Sequence, residues 1–369
     1  MNEINQTQYV PTLSASDYHC SSRYADELNA IFNQQWIYVL HASQLPDKGS
    51  YETFNIADKP ILISCGADDV IRAFYNVCVH RGHILVQGSG TATHFTCPYH
   101  AWTYHFDGRL RGAPGVPHVA DLPECNQQLV GIETRVTNGF VFVRLNPGAD
   151  DFEQCYGKFF GELGERLPAL DQLRFAKRFV AEVDGNWKIM VENYLECYHC
   201  TPTHEALSDL MCIKDYQFQQ SEYYLSTWAP AGRPDNKAYA YTLNEGSQRK
   251  FSGWWLWPNT TFNIFPGQQN LLVFHMLPLS SERSIGYCDY FFIDGKVDEE
   301  AEALMDWEGN VLEKEDNDLI VSAHKGMKSN AIRNGVFVID GVRQYISEGP
   351  LAHFNQLIQR TLDGAGLKK

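Results

Sequence analysis

The sequence predicts an α+β protein in two parts: a small antiparallel β domain, then a larger domain that mixes helices with a second β-rich block. Three observations carry this. The chain has 369 residues, and domains hold roughly 100–200 residues each. From Trp36 to about Leu145, short apolar runs are broken by Gly, Asp and Pro, the pattern of a small sandwich or barrel. Beyond that point helical and β textures alternate in longer blocks.

The elements follow in order. Residues 1–35 mix turn residues with a short helical pattern around Tyr24 to Phe32. Ile61-Leu62-Ile63, Ile71 to Tyr75 and Phe140 to Val143 read as strands. Residues 146–155 are turn-rich and acidic and are expected to link the domains. The predicted division is therefore 36–155 and 156–369, with 1–35 packing against the latter. A helical stretch follows the linker, and a strand runs through Leu173 to Val183. Trp187 to Cys200 reads as one helix with Ile189, Val191, Tyr194, Leu195 and Tyr198 at its apolar positions. The β texture returns over 215–295, rich in aromatics. Helices are expected at 298–328 and 349–363.

Composition narrows the function. The formal net charge is -15, which argues against general affinity for nucleic-acid phosphates. No run approaches the ~18 apolar residues of a membrane span. The polar start, Met1 to Gln6, lacks a basic region followed by an apolar one, so no secretory signal is expected and a cytoplasmic location is. Ten cysteines and thirteen histidines in such a chain point to metal ligation or burial rather than a disulfide framework.

Cys78-Val79-His80 is followed by Cys97-Pro98-Tyr99-His100. Two thiolates and two imidazoles on two short loops can hold one metal centre, with Gly82 and Gly88 to Gly90 permitting tight turns and Pro98 stiffening the second loop. In a mixed-ligand 2Fe–2S centre, Cys78 and Cys97 would bind one iron, and His80 and His100 the other. A structural zinc site uses the same residue types. It commonly places both cysteines in one loop, however, and here each loop gives one of each.

A second constellation lies at Glu196, His199 and His204. Glu196 and His199 are three apart and share a helix face. His199 and His204 are five apart, about 140° of rotation in an undistorted helix. Pro202 disfavours helix at Thr201, so the chain is expected to break there and swing His204 back. Two histidines and a carboxylate with open positions make the facial arrangement of non-haem iron(II) oxygenases. Asp306, Glu313, Glu315, Asp316 and Asp318 all lie in the 298–328 segment, and composition does not choose among them. Cys197 and Cys200 form a Cys-x-x-Cys, read as buried helix cysteines beside the alternatives of a redox dithiol or zinc half-site.

Cys78-Val79-His80-Arg81-Gly82, Cys97-Pro98-Tyr99-His100-Ala101-Trp102 and Phe106-Asp107-Gly108 resemble the signature of Rieske domains in ring-hydroxylating and related oxygenases. The resemblance implies a 2Fe–2S Rieske cluster and a mononuclear Fe(II). It also implies a catalytic domain built on a central antiparallel sheet flanked by helices, of the helix-grip (START-like) kind. Glu315-Asp316, with Leu319 and Gly326, is similar to the family's late Glu-Asp motif, so Asp316 is the implied third iron ligand. His324 stands where glutamine is common. Glu196 is implied as a bridge from His199 to His100 of the partner subunit, and hence a homotrimer. Asn193 in the same motif is a further catalytic candidate.

The run Asn193 to Cys200, Phe251-Ser-Gly-Trp-Trp-Leu-Trp-Pro258, Ser347-Glu348 and His353-Phe354 resemble the carnitine and γ-butyrobetaine monooxygenase branch, related to the choline, glycine betaine and stachydrine oxygenases. This implies a small quaternary ammonium substrate, dioxygen as co-substrate, and a separate NAD(P)H-dependent flavin and iron–sulfur reductase. Aromatic faces recognise quaternary ammonium groups. Tyr194, Tyr198, Trp255 and Trp257 are the pocket candidates.

Overall fold

The computed structural model describes residues 7–148 and 151–367. Two compact units make up the chain. One is Phe32–Ala149; the other joins Met1–Ile31 to Asp150–Lys369.

In the first unit a seven-stranded antiparallel sheet runs in the order Ile37–His41, Phe140–Arg144, Gly131–Thr137, Ile71–Tyr75, Lys59–Cys65, Ser50–Ile56 and Ser89–Thr91. Ile37–His41 and Phe140–Arg144 are buried at every position. Their near-continuous apolar runs fit strands covered on both faces. Phe95–Thr96, Thr103–Tyr104 and Leu110–Gly112 form a second sheet. The Cys97–Trp102 segment is the turn between the first two of these strands. The sequence-predicted strands at Ile61–Ile63, Ile71–Tyr75 and Phe140–Val143 are all present.

The second unit is built on another seven-stranded antiparallel sheet. Its order is Leu173–Val183, Ser284–Ile293, Asn270–Pro278, Thr260–Ile264, Lys250–Leu256, Tyr224–Pro230 and Gln217–Gln220. The helix Phe152–Arg166 packs its apolar stripe on this sheet: Phe159 meets Trp254 and Phe262 with ring centroids 6.0 and 4.9 Å apart. Phe152, Cys155, Tyr156, Phe159, Phe160 and Leu163 are buried, the i, i+3, i+4, i+7 spacing of an amphipathic helix. Burying each large side chain contributes about 1.5–3 kcal/mol. The Asp151 carboxylate caps this helix, accepting from the N–H groups of Glu153 and Gln154. The helix therefore starts inside the segment expected to be linker. An acidic residue that reads as a turn is here an N-cap.

Residues ahead of the first unit belong to the second. Gln8–Ser14 pairs with Asn334–Ile339. Glu27 is fully buried and its carboxylate accepts from Lys188 Nζ at 2.7 and 2.9 Å and from Trp187 Nε1 at 2.9 Å. Tyr18 and Asn355 each donate to Glu192 at 2.7 Å.

The expected helix over Trp187 to Cys200 is shorter. It runs Trp187–Tyr194, capped by Asn186, and is followed by turns until Cys200–Thr203. The break precedes His199 instead of falling at Thr201. Pro202 sits within the first turn of the short helix, where its missing N–H has no intrahelical partner to lose. The second change of direction comes at His204, with φ -107° and ψ 81°.

Glu299–Trp307 and Glu313–Lys328 are joined by a π-helical turn, Glu308–Leu312. The N–H of Glu313 donates to the carbonyl of Glu308 across it. Such i→i+5 closures are uncommon and concentrate at functional sites. This one brings Glu308 and Glu313, otherwise about 140° apart, toward one side of the helix.

Candidate metal centres and cavity

The two Cys/His loops of the first unit close with the same pair of backbone hydrogen bonds. Gly82 N–H donates to Cys78 C=O at 2.9 Å, and Cys78 N–H to His83 C=O at 2.8 Å. Ala101 N–H donates to Cys97 C=O at 2.9 Å, and Cys97 N–H to Trp102 C=O at 2.8 Å. Gly82 and Ala101 both take positive φ, 75° and 56°, the left-handed conformation that such a closure needs. Cys78 and Cys97 are each 2% exposed. The His80 and His100 rings lie 4.8 Å apart, and His80 stacks on Trp102 at 4.7 Å and 3°.

His100 Nδ1 is buried with no hydrogen-bond partner, as a nitrogen reserved for a metal would be. Burial pushes the Cys78 thiol up; a bound cation reverses that and takes the thiolate. Two sulfurs and two nitrogens, one of each from each loop, suit mixed cluster ligation better than structural zinc.

In the second unit, ligand atoms of His199, His204 and Asp316 lie within 4.8 Å of one another. Asp316 Oδ1 is 3.4 Å from His199 Nε2 and 3.0 Å from His204 Nε2. The opposite nitrogens are each held by a glutamate. Glu196 binds His199 Nδ1, and Glu315 Oε2 lies 2.8 Å from His204 Nδ1. Glu196 also accepts from the N–H groups of Tyr198 and His199, so it organises the turn that carries His199. Each Nε2 therefore points inward with its tautomer set by the carboxylate behind it.

Charge follows geometry. Burial would lower the pKa of His199, but its hydrogen bonds to Asp316 and Glu196 outweigh this and raise it to about 10. Burial would raise that of Asp316, but both histidines hold it at about 2. A cation fits the donor set, because two imidazoles and one carboxylate converge within 4.8 Å of one another.

A cavity of about 120 Å³ adjoins these three residues. Asn193, Tyr194, Tyr216, Phe251, Phe265 and Phe274 are among its walls. Tyr194 is held by donating to Asn263 Oδ1 at 2.7 Å. Tyr198 does not line the cavity; it is 47% exposed, because the turn after Tyr194 rotates it outward. Trp255 and Trp257 do not line it either. They are 1% and 2% exposed and pack edge-on against Phe354 at 5.6 and 5.9 Å. Cys197 and Cys200 are walls of the cavity and are bonded to each other, not the separate helix cysteines expected.

The chain matches the Rieske [2Fe-2S] domain family over residues 35–123 and the ring hydroxylating alpha subunit (catalytic domain) family over residues 170–364. It belongs to the Rieske oxygenases. It is 35% identical to the carnitine monooxygenase oxygenase subunit of Acinetobacter pittii, over 92% of both chains. The quaternary ammonium Rieske monooxygenase CntA bound to an inhibitor superposes with a TM-score of 0.88 at 33% identity, over 95% of each chain. The complex of CntA with L-carnitine gives 0.85 at 33% identity, over 95% and 96%. The antiparallel β Rieske domain and the helix-flanked antiparallel catalytic domain are those of this family. A Rieske cluster and a mononuclear iron are its cofactors, and the chain is a non-haem iron monooxygenase.

Within this Rieske oxygenase, sequence reasoning missed Glu315 as the partner of His204, although its place beside Asp316 was a signal. It also missed Glu308 and Glu313 as cavity walls, because nothing in the sequence announces the π-turn. His324 is outside the metal group. It is 4% exposed, with neither ring nitrogen bonded. Among the described residues no helix is long and apolar enough to cross a membrane.

Proposed function

We propose that this Rieske monooxygenase hydroxylates a C–H bond beside the nitrogen of a small quaternary ammonium compound. Carnitine, γ-butyrobetaine or another betaine is the substrate class, and the hydroxylated carbon then parts from nitrogen, giving C–N cleavage or N-demethylation. The observation that carries this reading is the cavity: it ends on His199, His204 and Asp316 and is walled by aromatic rings. Each ring facing a cation contributes about 0.5–2 kcal/mol. The likeness to CntA bound to L-carnitine supports it.

Cys78, His80, Cys97 and His100 would hold the cluster, and His199, His204 and Asp316 the mononuclear iron. When bound, these groups supply electron relay and dioxygen activation. The chain's own residues orient both. Glu196 and Glu315 fix the two imidazoles, and the cavity walls place the scissile C–H bond within reach, which decides which bond is attacked. Glu196 would also link His199 to His100 of the partner subunit, closing a homotrimer in which each cluster serves the neighbouring iron. A similar quaternary ammonium Rieske monooxygenase, whose structure gives insights into inter-subunit electron transfer, supports that arrangement. A separate NAD(P)H-dependent flavin and iron–sulfur reductase would deliver the electrons, which places the enzyme in the cytoplasm beside that donor.

The test supplies the purified chain and reductase with carnitine, γ-butyrobetaine, glycine betaine and benzoate in turn. Substrate-dependent NADH and oxygen consumption, with an amine and an aldehyde as products, supports the reading. Consumption with benzoate alone, giving a cis-diol, overturns it.

A further inference from the structure

The cavity is lined by four carboxylates, Glu196, Glu308, Glu313 and Asp316, and among the described residues by no Lys or Arg; the positive charge of its two histidines lies at the Asp316 end. Two of the four are committed to the histidines, Glu196 to His199 and Asp316 to both. Glu308 is 4% exposed and accepts from Tyr290 Oη and, at 3.5 Å, from Cys288 Sγ. Glu313 is different. Among the described residues its carboxylate has no hydrogen bond and no ion pair, yet it lines the cavity and its ligand atom lies within 4.8 Å of those of Glu308 and Cys288.

A partly buried carboxylate without a partner is costly, and a second one beside it adds repulsion. Burial pushes both glutamates up; the charges of Glu308 and Asp316 add to this at Glu313, and Asp316 adds to it at Glu308, which reaches about 7. The π-turn is what sets them side by side, through the i→i+5 bond between their own backbones. Such a pair suits a cationic head group, whose charge offsets the repulsion between the two carboxylates. Glu308 already has donors and needs none from a ligand, and a quaternary ammonium cannot offer any. Tyr216, Phe265 and Phe274 belong to the same cavity wall and shield the group from water.

We propose that Glu313, backed by Glu308, is the counter-charge that selects the cationic head group in this cavity, so that discrimination for positive charge comes from the π-turn as well as from aromatic faces. The proposal rests on the quaternary ammonium reading above and assigns the residues that recognise its charge. A divalent metal on Cys288, Glu308 and Glu313 is disfavoured, because Tyr290 and Cys288 already occupy the Glu308 carboxylate.

Equilibrium binding to the metal-loaded chain under argon tests this. The ligands are γ-butyrobetaine and 5,5-dimethylhexanoate, the same skeleton with carbon in place of the charged nitrogen. Wild type is expected to bind the cation at least about tenfold tighter. Glu313→Gln should weaken the cation about 10–100-fold and leave the isostere within about twofold, while Glu313→Asp retains part of the preference. Visible absorbance and iron content report whether each variant is folded and loaded. Equal weakening of both ligands in Glu313→Gln, or unchanged affinity for the cation, overturns the proposal. Wild type binding the isostere as tightly as the cation also overturns it. Wild type binding neither ligand overturns the quaternary ammonium reading itself.

Discussion

Glu315 and His204 are joined through Glu315 Oε2 and His204 Nδ1 at 2.8 Å, while Asp316, the next residue, reaches the opposite ring nitrogen at 3.0 Å. Consecutive side chains on a helix diverge by about 100°, and here that divergence lets one turn hold both edges of a single imidazole. His199 has the same two-sided grip, but from Glu196 on its own turn and Asp316 on the distant helix. The proposed iron site therefore depends on two carboxylates that need not touch the metal.

Glu315→Ala should lower mononuclear iron affinity about 10–100-fold while leaving the cluster intact, since His204 loses the group that fixes its orientation. Iron retained after dialysis against a weak chelator measures it. Visible absorbance from the cluster serves as the internal control. Full retention would mean that Glu315 is not needed to orient the ring.

Iron loading should weaken as pH falls. With the site free of metal, His199 keeps its proton up to a pKa of about 10, so metal must displace that proton at any lower pH. Affinity is then expected to drop about tenfold per pH unit through the neutral range. Titration of the metal-free protein with Fe(II) at pH 6.5, 7.5 and 8.5 reads the slope directly, and a flat profile would contradict the assigned proton.

Lys188→Met should destabilise the catalytic unit by roughly 3–5 kcal/mol. Both Lys188 and Glu27 are fully buried, and the substitution removes the nearest charge, leaving the Glu27 carboxylate with the Trp187 N–H at 2.9 Å and the more distant Arg23 Nε at 3.7 Å. Replacing Glu27 with Gln in the same chain should recover much of the loss. Urea unfolding of the two variants beside wild type gives the comparison.

Cys97→Ser should abolish the visible spectrum and reduce iron from about three per chain to about one. Cys97 is buried in a loop whose two closing hydrogen bonds involve only backbone, so the fold should survive and His199, His204 and Asp316 should still load. Metal and acid-labile sulfide analysis decides it. An unchanged sulfide content would remove Cys97 from the cluster.

Particular residues mark where the sequence was legible. Leu173–Val183 and the helices at 299–328 and 349–364 lie where periodicity placed them, because a stripe of apolar residues has one stable way to meet a core. The segment after Tyr194 was not legible. Its apolar spacing continues through Tyr198, yet the Glu196 carboxylate captures the N–H groups of Tyr198 and His199 and ends the regular helix. Trp255 and Trp257 looked like pocket aromatics, but alternation along a strand does not say which face meets a cavity and which meets a helix. Phe354 settled that from about a hundred residues away.

By itself the sequence pointed to the candidate donor sets: Cys78, His80, Cys97 and His100 on two short loops, and two histidines beside a break in the helix. Residue type and short-range spacing limit what metal chemistry a segment can support, and neither needs a third dimension. Tertiary structure alone decided the rest. It brought Asp316 to His199 and His204 across more than a hundred residues, put Glu315 behind one ring, and aligned Glu308 with Glu313 through a π-turn. Those relations come from how helices pack and where one hydrogen bond slips by a residue, and no local pattern in the chain encodes them.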